Sequence, residues 1–276
     1  GRPSTSSFDP LSSPTVKILF VTPEALPFVK TGGLGDVACA LPCALAALGV
    51  EIRLLIPGYP SVLDQLRGAR AVAELPDLPG RAHLVRGSGE DGITVYAIDC
   101  PALYARPGNP YLGPDGNDWP DNHLRFGALG RVAAFWPDPA WRPDIVHGND
   151  WQSGLAAAYL ALGGRPRPAT VFTIHNLAYQ GLFPRSVLAE LGLPPESFSI
   201  EGLEYYGQVG FLKAGLWYAD KLTTVSPTYA EEIQHEPLGF GLQGLLRGRA
   251  GDLVGILNGV DTRLWDPAAD PHLPAR

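Results

Sequence analysis

Short apolar runs alternate with helical segments along this chain, and this alternation limits the possible folds more than any other feature. Val16–Thr22, Val50–Ile56 and Thr170–His175 are rich in β-branched and other large apolar residues. Runs of this kind, separated by helices, are typical of a parallel sheet that is covered on both faces. The sequence therefore predicts an α/β fold with a Rossmann-like parallel sheet and helices on both faces.

The same pattern continues along the rest of the chain. Further strands are predicted near His83–Val85 and at Thr94–Ile98, Asp144–His147, Leu222–Val225 and Leu253–Leu257. Helices are predicted at Gly35–Leu48, Asn122–Phe135, Trp151–Leu162 and Val209–Ala219, with another beginning at Pro227. Their positions predict Asp121, Asp150 and Ser226 as N-cap residues of the helices that follow them. Residues 1–14, rich in Ser and Pro, are predicted to be a flexible lead-in to a domain at residues 15–276.

The stretch Lys30–Val37 (KTGGLGDV) lies between the first predicted strand and the first predicted helix. Its glycines let the backbone approach a ligand closely, because no Cβ stands in the way. A glycine loop that opens a helix also presents N–H groups and the positive end of the helix dipole to an anion. Lys30 adds a positive charge beside the loop. The stretch therefore predicts a site for phosphate or a phosphosugar.

A dinucleotide is a second ligand to consider, because Gly33–Ala38 fits the G-x-G-x-x-A pattern. In a dinucleotide-binding unit the first glycine follows the strand directly, and an acidic residue near the end of the second strand holds the ribose. Here a long segment separates Thr22 from Gly32, and the second strand ends in Ile56–Pro57. These differences disfavour a nicotinamide-dependent oxidoreductase, which stays as an alternative.

Polar and aromatic residues gather at the ends of two predicted strands. Asp150 and Trp151 come soon after one strand, and His175 and Asn176 lie at the end of the next. Ligands of parallel α/β sheets bind beyond the carboxyl ends of the strands, so these residues are candidates for a site. Each also has an ordinary explanation: Asp150 as a helix cap and His175 as a packed side chain. For Trp151, stacking on a sugar and packing in the core have equal weight.

The composition excludes several classes of ligand. The net charge is −7 and no Lys/Arg cluster is present, so nucleic-acid binding is not expected. No apolar run is long enough to span a membrane, and no signal peptide is visible. The three cysteines lack metal-ligand spacing, and no Asp-x-Asp pair is present to hold a divalent metal on a diphosphate. We therefore expect neither a metal site nor a membrane partner.

Six stretches in order resemble the bacterial glycogen synthases and the plant starch synthases. They are Lys30–Val37 with the following Ala40–Pro42 (ALP), Tyr104–Tyr111 (YARPGNPY), Trp141–Gly154 (WRPDIVHGNDWQSG), Phe172–Gly181 (FTIHNLAYQG), Phe211–Tyr229 (FLKAGLWYADKLTTVSPTY) and Leu257–Asp261 (LNGVD). The resemblance extends from Thr15 to Trp265, and six motifs in this order are highly specific. It implies the amino-terminal domain of a glycosyltransferase-B fold.

The resemblance also implies a reaction and its partners. Members of this family are retaining glucosyltransferases that move glucose from ADP-glucose to the non-reducing 4-hydroxyl of an α-1,4-glucan, and they need no metal or other cofactor. Retention is ascribed to same-face attack, in which the leaving phosphate helps to deprotonate the incoming hydroxyl. The implied partners are ADP-glucose and an α-1,4-glucan. The implied location is the cytoplasm, or a plastid in a plant or alga.

The resemblance assigns ten residues of this chain to the site. The substrate-binding residues are Lys30, Gly32, Gly33, Asp36, Tyr111, Asn122, Trp151 and Asn176, and the catalytic residues are His175 and Asp150. In this assignment Lys30 binds ADP-glucose, while the backbone at the glycines approaches the diphosphate and the glucose. Asp150 and Trp151 line the glucan and glucose side, and His175 lies beside the transferred glucose.

The chain departs from the family pattern in two respects. Many members have His-Asp-Trp-His where this chain has Asn149–Gln152, and Gln152 cannot take up a proton at neutral pH. The family's second domain supplies an Arg and a Lys for the diphosphate and a Glu beneath the donor sugar, and nothing after Asp261 resembles it. Residues 15–276 are therefore expected to be the acceptor-side catalytic domain without the carboxy-terminal nucleotide domain, with little or no activity alone. A non-catalytic glucan-binding module is the alternative.

Overall fold

In a computed structural model of the chain, residues 15–164, 166–260, 266–268 and 270 are described. The lead-in predicted for residues 1–14 lies outside these residues, and so does Asp261 at the end of the last motif. Within the described ranges, no helix is both long enough and apolar enough to cross a membrane.

A nine-stranded sheet forms the centre of the fold. The strands of the described ranges are β1 Lys17–Val21, β2 Glu51–Pro57, β3 Arg67–Glu74, β4 His83–Ser88, β5 Thr94–Asp99, β6 Ile145–Asn149, β7 Ala169–Ile174, β8 Leu182–Pro184, β9 Glu204–Tyr205, β10 Gln208–Gly210, β11 Lys221–Thr224 and β12 Leu253–Gly255. The order in the large sheet is β12–β11–β7–β6–β1–β2–β5–β4–β3. β4 pairs antiparallel with both β3 and β5, and the other neighbours are parallel. The predicted Rossmann-like sheet is confirmed, with an antiparallel edge added.

Helices connect the parallel strands, because a parallel pair cannot be joined by a tight turn. In the described ranges they are α1 Gly33–Ala47, α2 Pro60–Gln65, α3 Pro101–Tyr104, α4 Asn122–Ala134, α5 Leu155–Leu162, α6 Val187–Glu190, α7 Phe211–Tyr218, α8 Pro227–Glu232 and α9 Gln243–Gly248. The predicted helices correspond to α1, α4, α5, α7 and α8, with shifted ends. Ser226 caps α8 as predicted, since its Oγ accepts a hydrogen bond from the Tyr229 N–H at 2.9 Å.

Strand β1 lies between β2 and β6 near the centre of the sheet. Its residues Leu19, Phe20 and Val21 are fully buried. Ile18 is in register with Ile52 on one side and Ile145 on the other. Since β1, β6, β7 and β11 run in the same direction, the residues after their carboxyl ends meet at one edge of the sheet.

The cap predicted at Asp121 is wrong, because that carboxylate has another partner. Its two oxygens accept hydrogen bonds from both terminal nitrogens of Arg106, at 2.7 and 2.6 Å, and no side chain caps α4. A bidentate pair of this kind is stronger than a single neutral hydrogen bond, so it outcompetes the cap. The pair ties the segment after α3 to the start of α4.

The helix predicted at Trp151–Leu162 starts later than expected. Trp151–Ser153 form a 3₁₀ turn, and α5 begins only at Leu155. An added Cβ at Gly154, between them, would stand 1.9 Å from the Phe211 carbonyl oxygen, so the close approach of α7 requires glycine here. The cap predicted at Asp150 is also wrong, since no side-chain hydrogen bond caps either element.

A second, small antiparallel sheet has the order β8–β10–β9. Its central strand explains why the helix predicted at Val209–Ala219 begins only at Phe211. Residues Gln208–Gly210 pair with β8 and β9 instead of continuing the helix towards its amino terminus. The small sheet therefore forms part of the connection between β7 and α7.

Candidate functional site

A cavity of about 810 Å³ opens at the carboxyl ends of the parallel strands. Residues that follow β1, β6, β7 and β11 line it, as the strand directions require. The structure brings eight of the ten predicted site residues to its wall: Gly32, Gly33, Tyr111, Asn122, Asp150, Trp151, His175 and Asn176. Lys30 and Asp36 do not line it.

The amino terminus of α1 forms one wall of the cavity. α1 begins at Gly33, and its N-cap residue Gly32 is extended, with no side chain capping the helix. A Cβ added at Gly33 would meet no atom within 4 Å, and one at Gly32 would come 3.8 Å from Glu24 Oε1. The helix therefore presents its backbone N–H groups to the cavity without a protein side chain in front of them.

Glu24 holds this loop in place, and the sequence patterns did not single it out. Its side chain is buried, and its Oε2 accepts hydrogen bonds from the Thr31 N–H at 2.7 Å and the Thr31 hydroxyl at 2.5 Å. Glu24 also lines the cavity. One signal could have found it, namely a charged residue soon after the carboxyl end of a fully buried strand.

Lys30 and Asp36 form an ion pair with each other, with Nζ 2.7 Å from Oδ2 and 2.8 Å from Oδ1. Both side chains are more than a third exposed, so solvent weakens the pair. Gly35 leaves room for the Lys30 side chain, because an added Cβ would lie 3.0 Å from Lys30 Cγ and would force it to shift. The pair lies beside the cavity, because the neighbouring residues Thr31 and Val37 line it.

Asp150 is held in a backbone conformation that residues with a side chain rarely adopt. Its φ is 55° and its ψ is 179°, close to a region that is populated almost only by glycine. This conformation turns the carboxylate towards the end of β7, where Oδ1 accepts hydrogen bonds from the His175 N–H at 2.7 Å and the Asn176 N–H at 3.3 Å. Burial raises the pKa of Asp150 to about 7, against the lowering effect of these two N–H groups.

His175 is a neutral imidazole whose tautomer follows from the network around it. Asn149 is buried, and its Nδ2 donates to the Val21 carbonyl at 3.1 Å, which leaves Asn149 Oδ1 as the acceptor 3.0 Å from His175 Nε2. His175 must therefore carry its proton on Nε2, and Nδ1 keeps a lone pair. Burial lowers the pKa of His175 to about 4, so the ring stays uncharged at neutral pH.

Trp151 serves the core and the cavity together. Its ring centroid is 4.9 Å from that of Phe126 in an edge-to-face contact, and it also packs near Phe183 and Phe211. An added Cβ at Gly181 would stand 2.2 Å from the indole, so glycine is required there. Trp151 also lines the cavity, so the two interpretations of this residue coexist.

Both ends of the Asn122 amide make hydrogen bonds within the protein. Its Nδ2 donates to the Tyr111 carbonyl at 3.0 Å, and its Oδ1 accepts from the buried Arg125 at 2.7 Å. Asn122 thereby holds the loop that places the Tyr111 ring on the cavity wall. Burial raises the pKa of the Tyr111 hydroxyl well above its usual value, which keeps it protonated.

The charge of the cavity wall is negative. Among the described residues that line it, none is Lys or Arg, whereas Glu24, Asp118 and Asp150 are acidic. No group of three or more potential metal ligands occurs within the described ranges. Gln152 is buried on the cavity wall, and its Oε1 has no hydrogen-bond partner in the part of the chain that the structure describes.

Known proteins resemble this chain over nearly its whole length. The family model described as "Starch synthase catalytic domain" matches residues 17–248. The glycogen synthase of Nitrosomonas europaea is 54% identical over 275 residues, which cover 95% of this chain and 56% of the relative. Glycogen synthase 2 of Bradyrhizobium diazoefficiens is 55% identical over 263 residues, which cover 94% of this chain and 55% of the relative. The chain thus spans about half the length of these curated relatives.

A solved structure agrees with these sequence matches. The catalytic domain of starch synthase IV from Arabidopsis thaliana, bound to ADP and acarbose, superposes with a TM-score of 0.81 at 30% identity. The match covers 95% of this chain and 55% of that chain.

Proposed function

The chain belongs to the starch synthase catalytic domain family and has a fold of the glycosyltransferase-B type, and from this premise we propose that it is the acceptor-side half of an α-1,4-glucan glucosyltransferase. One observation carries the proposal. The glycine wall of α1, the Asp150 carboxylate and the His175 imidazole meet in one cavity beyond the parallel strands. Such a cavity can hold an anion at one side and sugar hydroxyls at the other.

We propose ADP-glucose as the donor. The related starch synthase IV catalytic domain is described with ADP bound, and the amino terminus of α1 suits a diphosphate. The N–H groups at Gly32 and Gly33 would stabilise the negative charge that develops on the leaving diphosphate. Lys30 would join them by exchanging Asp36 for phosphate oxygens. As the resemblance implies, the proposed reaction uses no metal or other cofactor.

On the sugar side, His175 and Asp150 would orient the reacting sugars. His175 Nδ1 accepts a hydrogen bond from a sugar hydroxyl, since Nε2 is already committed to Asn149. Asp150 contributes its second carboxylate oxygen, and Trp151 a flat apolar surface beside it. Double displacement would need a carboxylate nucleophile, and none of the assigned site residues has that role. We therefore propose that retention occurs by same-face attack.

The reaction also needs positive charge that this cavity wall lacks. We propose that a second half, like the remaining length of the curated relatives, supplies those cations and closes over the donor. The acidic wall also favours the alternative, a glucan-binding module without chemistry, because a neutral glucan needs no cation.

Fusing this chain to the remaining carboxy-terminal part of the Nitrosomonas europaea relative tests the proposal. We expect the fusion to incorporate glucose from ADP-glucose into glycogen, with UDP-glucose as a parallel donor. The His175→Ala fusion, which keeps the same second half, should lose this activity. A folded fusion that binds maltooligosaccharides but transfers no glucose from either donor would contradict the proposal and support the glucan-binding module.

A further inference from the structure

Three exposed aromatic residues lie beside the cavity. Tyr179, on its wall, is 65% exposed, Tyr206 is 78% exposed and Phe240 is 43% exposed. We call these three residues the aromatic ledge. Exposed aromatic residues that are scattered singly need no explanation, whereas a continuous group beside a cavity is typical of a ligand-binding surface.

Contacts between neighbouring residues join the ledge to the cavity. Gln180 lines the cavity next to Tyr179, and its Nε2 donates to the Phe240 carbonyl at 3.3 Å. Gly241, which follows Phe240, lies against Tyr206: an added Cβ would stand 3.0 Å from Tyr206 Cε2. The three aromatic residues therefore belong to one surface that begins at the cavity rim.

Two residues of the ledge hold unfavourable backbone conformations. Tyr206 and Phe240 each have a φ of 46°, and the glycines after them have φ values of 83° and 81°. Each pair occupies the centre of a tight turn, one between β9 and β10 and one closed by the Leu242 N–H on the Gly239 carbonyl at 2.7 Å. Turns with two positive φ values favour Asn-Gly, so an aromatic residue at the first position costs stability. Two aromatic residues on one surface each cost stability in this way, which points to a function for them.

We propose that the aromatic ledge binds the acceptor glucan where it leaves the cavity, an inference that rests on the proposed function. The flat C–H faces of glucose residues stack on aromatic rings, and the Tyr hydroxyls provide polar groups at the edges of the sugar. The ledge residues carry no charge, which suits a neutral polymer. A glucan longer than the cavity must cross the rim, and Tyr179 lies at that rim.

Calorimetry of this chain with maltose and maltoheptaose tests the ledge. We expect maltoheptaose to bind more tightly than maltose, because only the longer sugar reaches the ledge. Tyr206→Asn should weaken maltoheptaose binding about three- to tenfold and leave maltose binding unchanged. The melting temperature should stay equal or rise by up to about 2 °C, because Asn-Gly suits the turn. Tyr206→Phe keeps the ring and should keep the affinity.

The control is Leu48→Asn, since Leu48 is 80% exposed at the C-terminal end of α1, away from the cavity, and this variant should change neither affinity. Equal affinities for the two sugars, or an unchanged maltoheptaose affinity in Tyr206→Asn, would overturn the proposal that the ledge binds the glucan. The proposed function would still stand. The Tyr206→Asn variant of the fusion could also lose stability while it keeps its full affinity for maltoheptaose. This result would overturn the proposal and indicate that the ledge is an interface with the second half. A wild-type chain that binds neither sugar would overturn both proposals.

Discussion

Asp150 combines two features that each lower the stability of the folded state. Its backbone conformation costs about 1–3 kcal/mol, and burial penalises its charged form enough to bring its pKa to about 7. The two N–H groups beyond β7 offset part of this cost. A neutral side chain of the same shape would keep those two hydrogen bonds and avoid the charge penalty.

Asp150→Asn is therefore expected to change the pH dependence of stability. The folded state binds a proton at Asp150 between about pH 4 and pH 7, whereas the unfolded state does not, so the wild type loses stability as the pH rises through this interval. The Asn variant lacks this loss. Its free energy of unfolding should gain about 1.4 kcal/mol per pH unit relative to wild type across the interval, and the difference should then stay constant above about pH 7.

Urea unfolding followed by tryptophan fluorescence, from about pH 4 to about pH 8, measures this difference. The matched control is Asp64→Asn, because Asp64 is an exposed carboxylate on α2. This control reports the effect of exchanging an exposed carboxylate for an amide. A difference for Asp150→Asn that stays constant with pH would show that Asp150 is not held in a charge-penalising site.

At the scale of elements, helix α1 depends on glycine for two separate reasons. Gly35 lies under the Lys30 side chain, where an added Cβ would have to displace it. Gly33 has open space around it and lines the cavity. If the proposed donor site is correct, glycine at Gly33 serves the ligand rather than the fold.

Gly33→Ala is expected to separate stability from function. Gly33 is the first residue of α1, so Ala there should stabilise the helix by no more than the value of about 0.5–1 kcal/mol that holds for a helix interior, and the added Cβ meets no protein atom. In the fusion described above, however, the methyl group would occupy the space of the diphosphate, so the KM for ADP-glucose should rise at least about tenfold. Gly244→Ala in α9, with equally open surroundings, should show the gain in stability without the change in KM. An unchanged KM for ADP-glucose in Gly33→Ala would show that the amino terminus of α1 at Gly33 is not part of the donor site.

Periodicity and strand ends predicted the elements that carry the site, but not the contacts between them. The carboxyl-end rule brought Asp150 and His175 to one edge, because parallel strands fix direction regardless of side-chain detail. The Asp150 cap was wrong because the backbone conformation at that residue depends on β7, which is distant in sequence. Glu24 was missed because its partner Thr31 lies across an irregular segment without a period. β3 was missed because its mostly exposed residues lack the apolar pattern of the buried strands.

At the scale of the whole molecule, charge sets the limit on what this chain can do alone. The described wall of the cavity carries carboxylates and no Lys or Arg, and the nearby Lys30 is paired with Asp36. The net charge of −7 adds a long-range repulsion for an anionic donor. A neutral glucan meets no such barrier. The isolated chain should therefore bind a neutral glucan but bind the anionic donor only weakly.

The isolated chain of 276 residues is accordingly expected to bind maltooligosaccharides and to incorporate little or no glucose from ADP-glucose into glycogen. The physical reason is that one lysine and the amino terminus of α1 cannot compensate the charge of a departing diphosphate, which needs several cations. Radiolabelled glucose incorporation measures this directly, and the fusion to the second half of the relative serves as the positive control in the same assay. Robust turnover by the isolated chain would contradict this division of labour and place all the chemistry within the cavity described above.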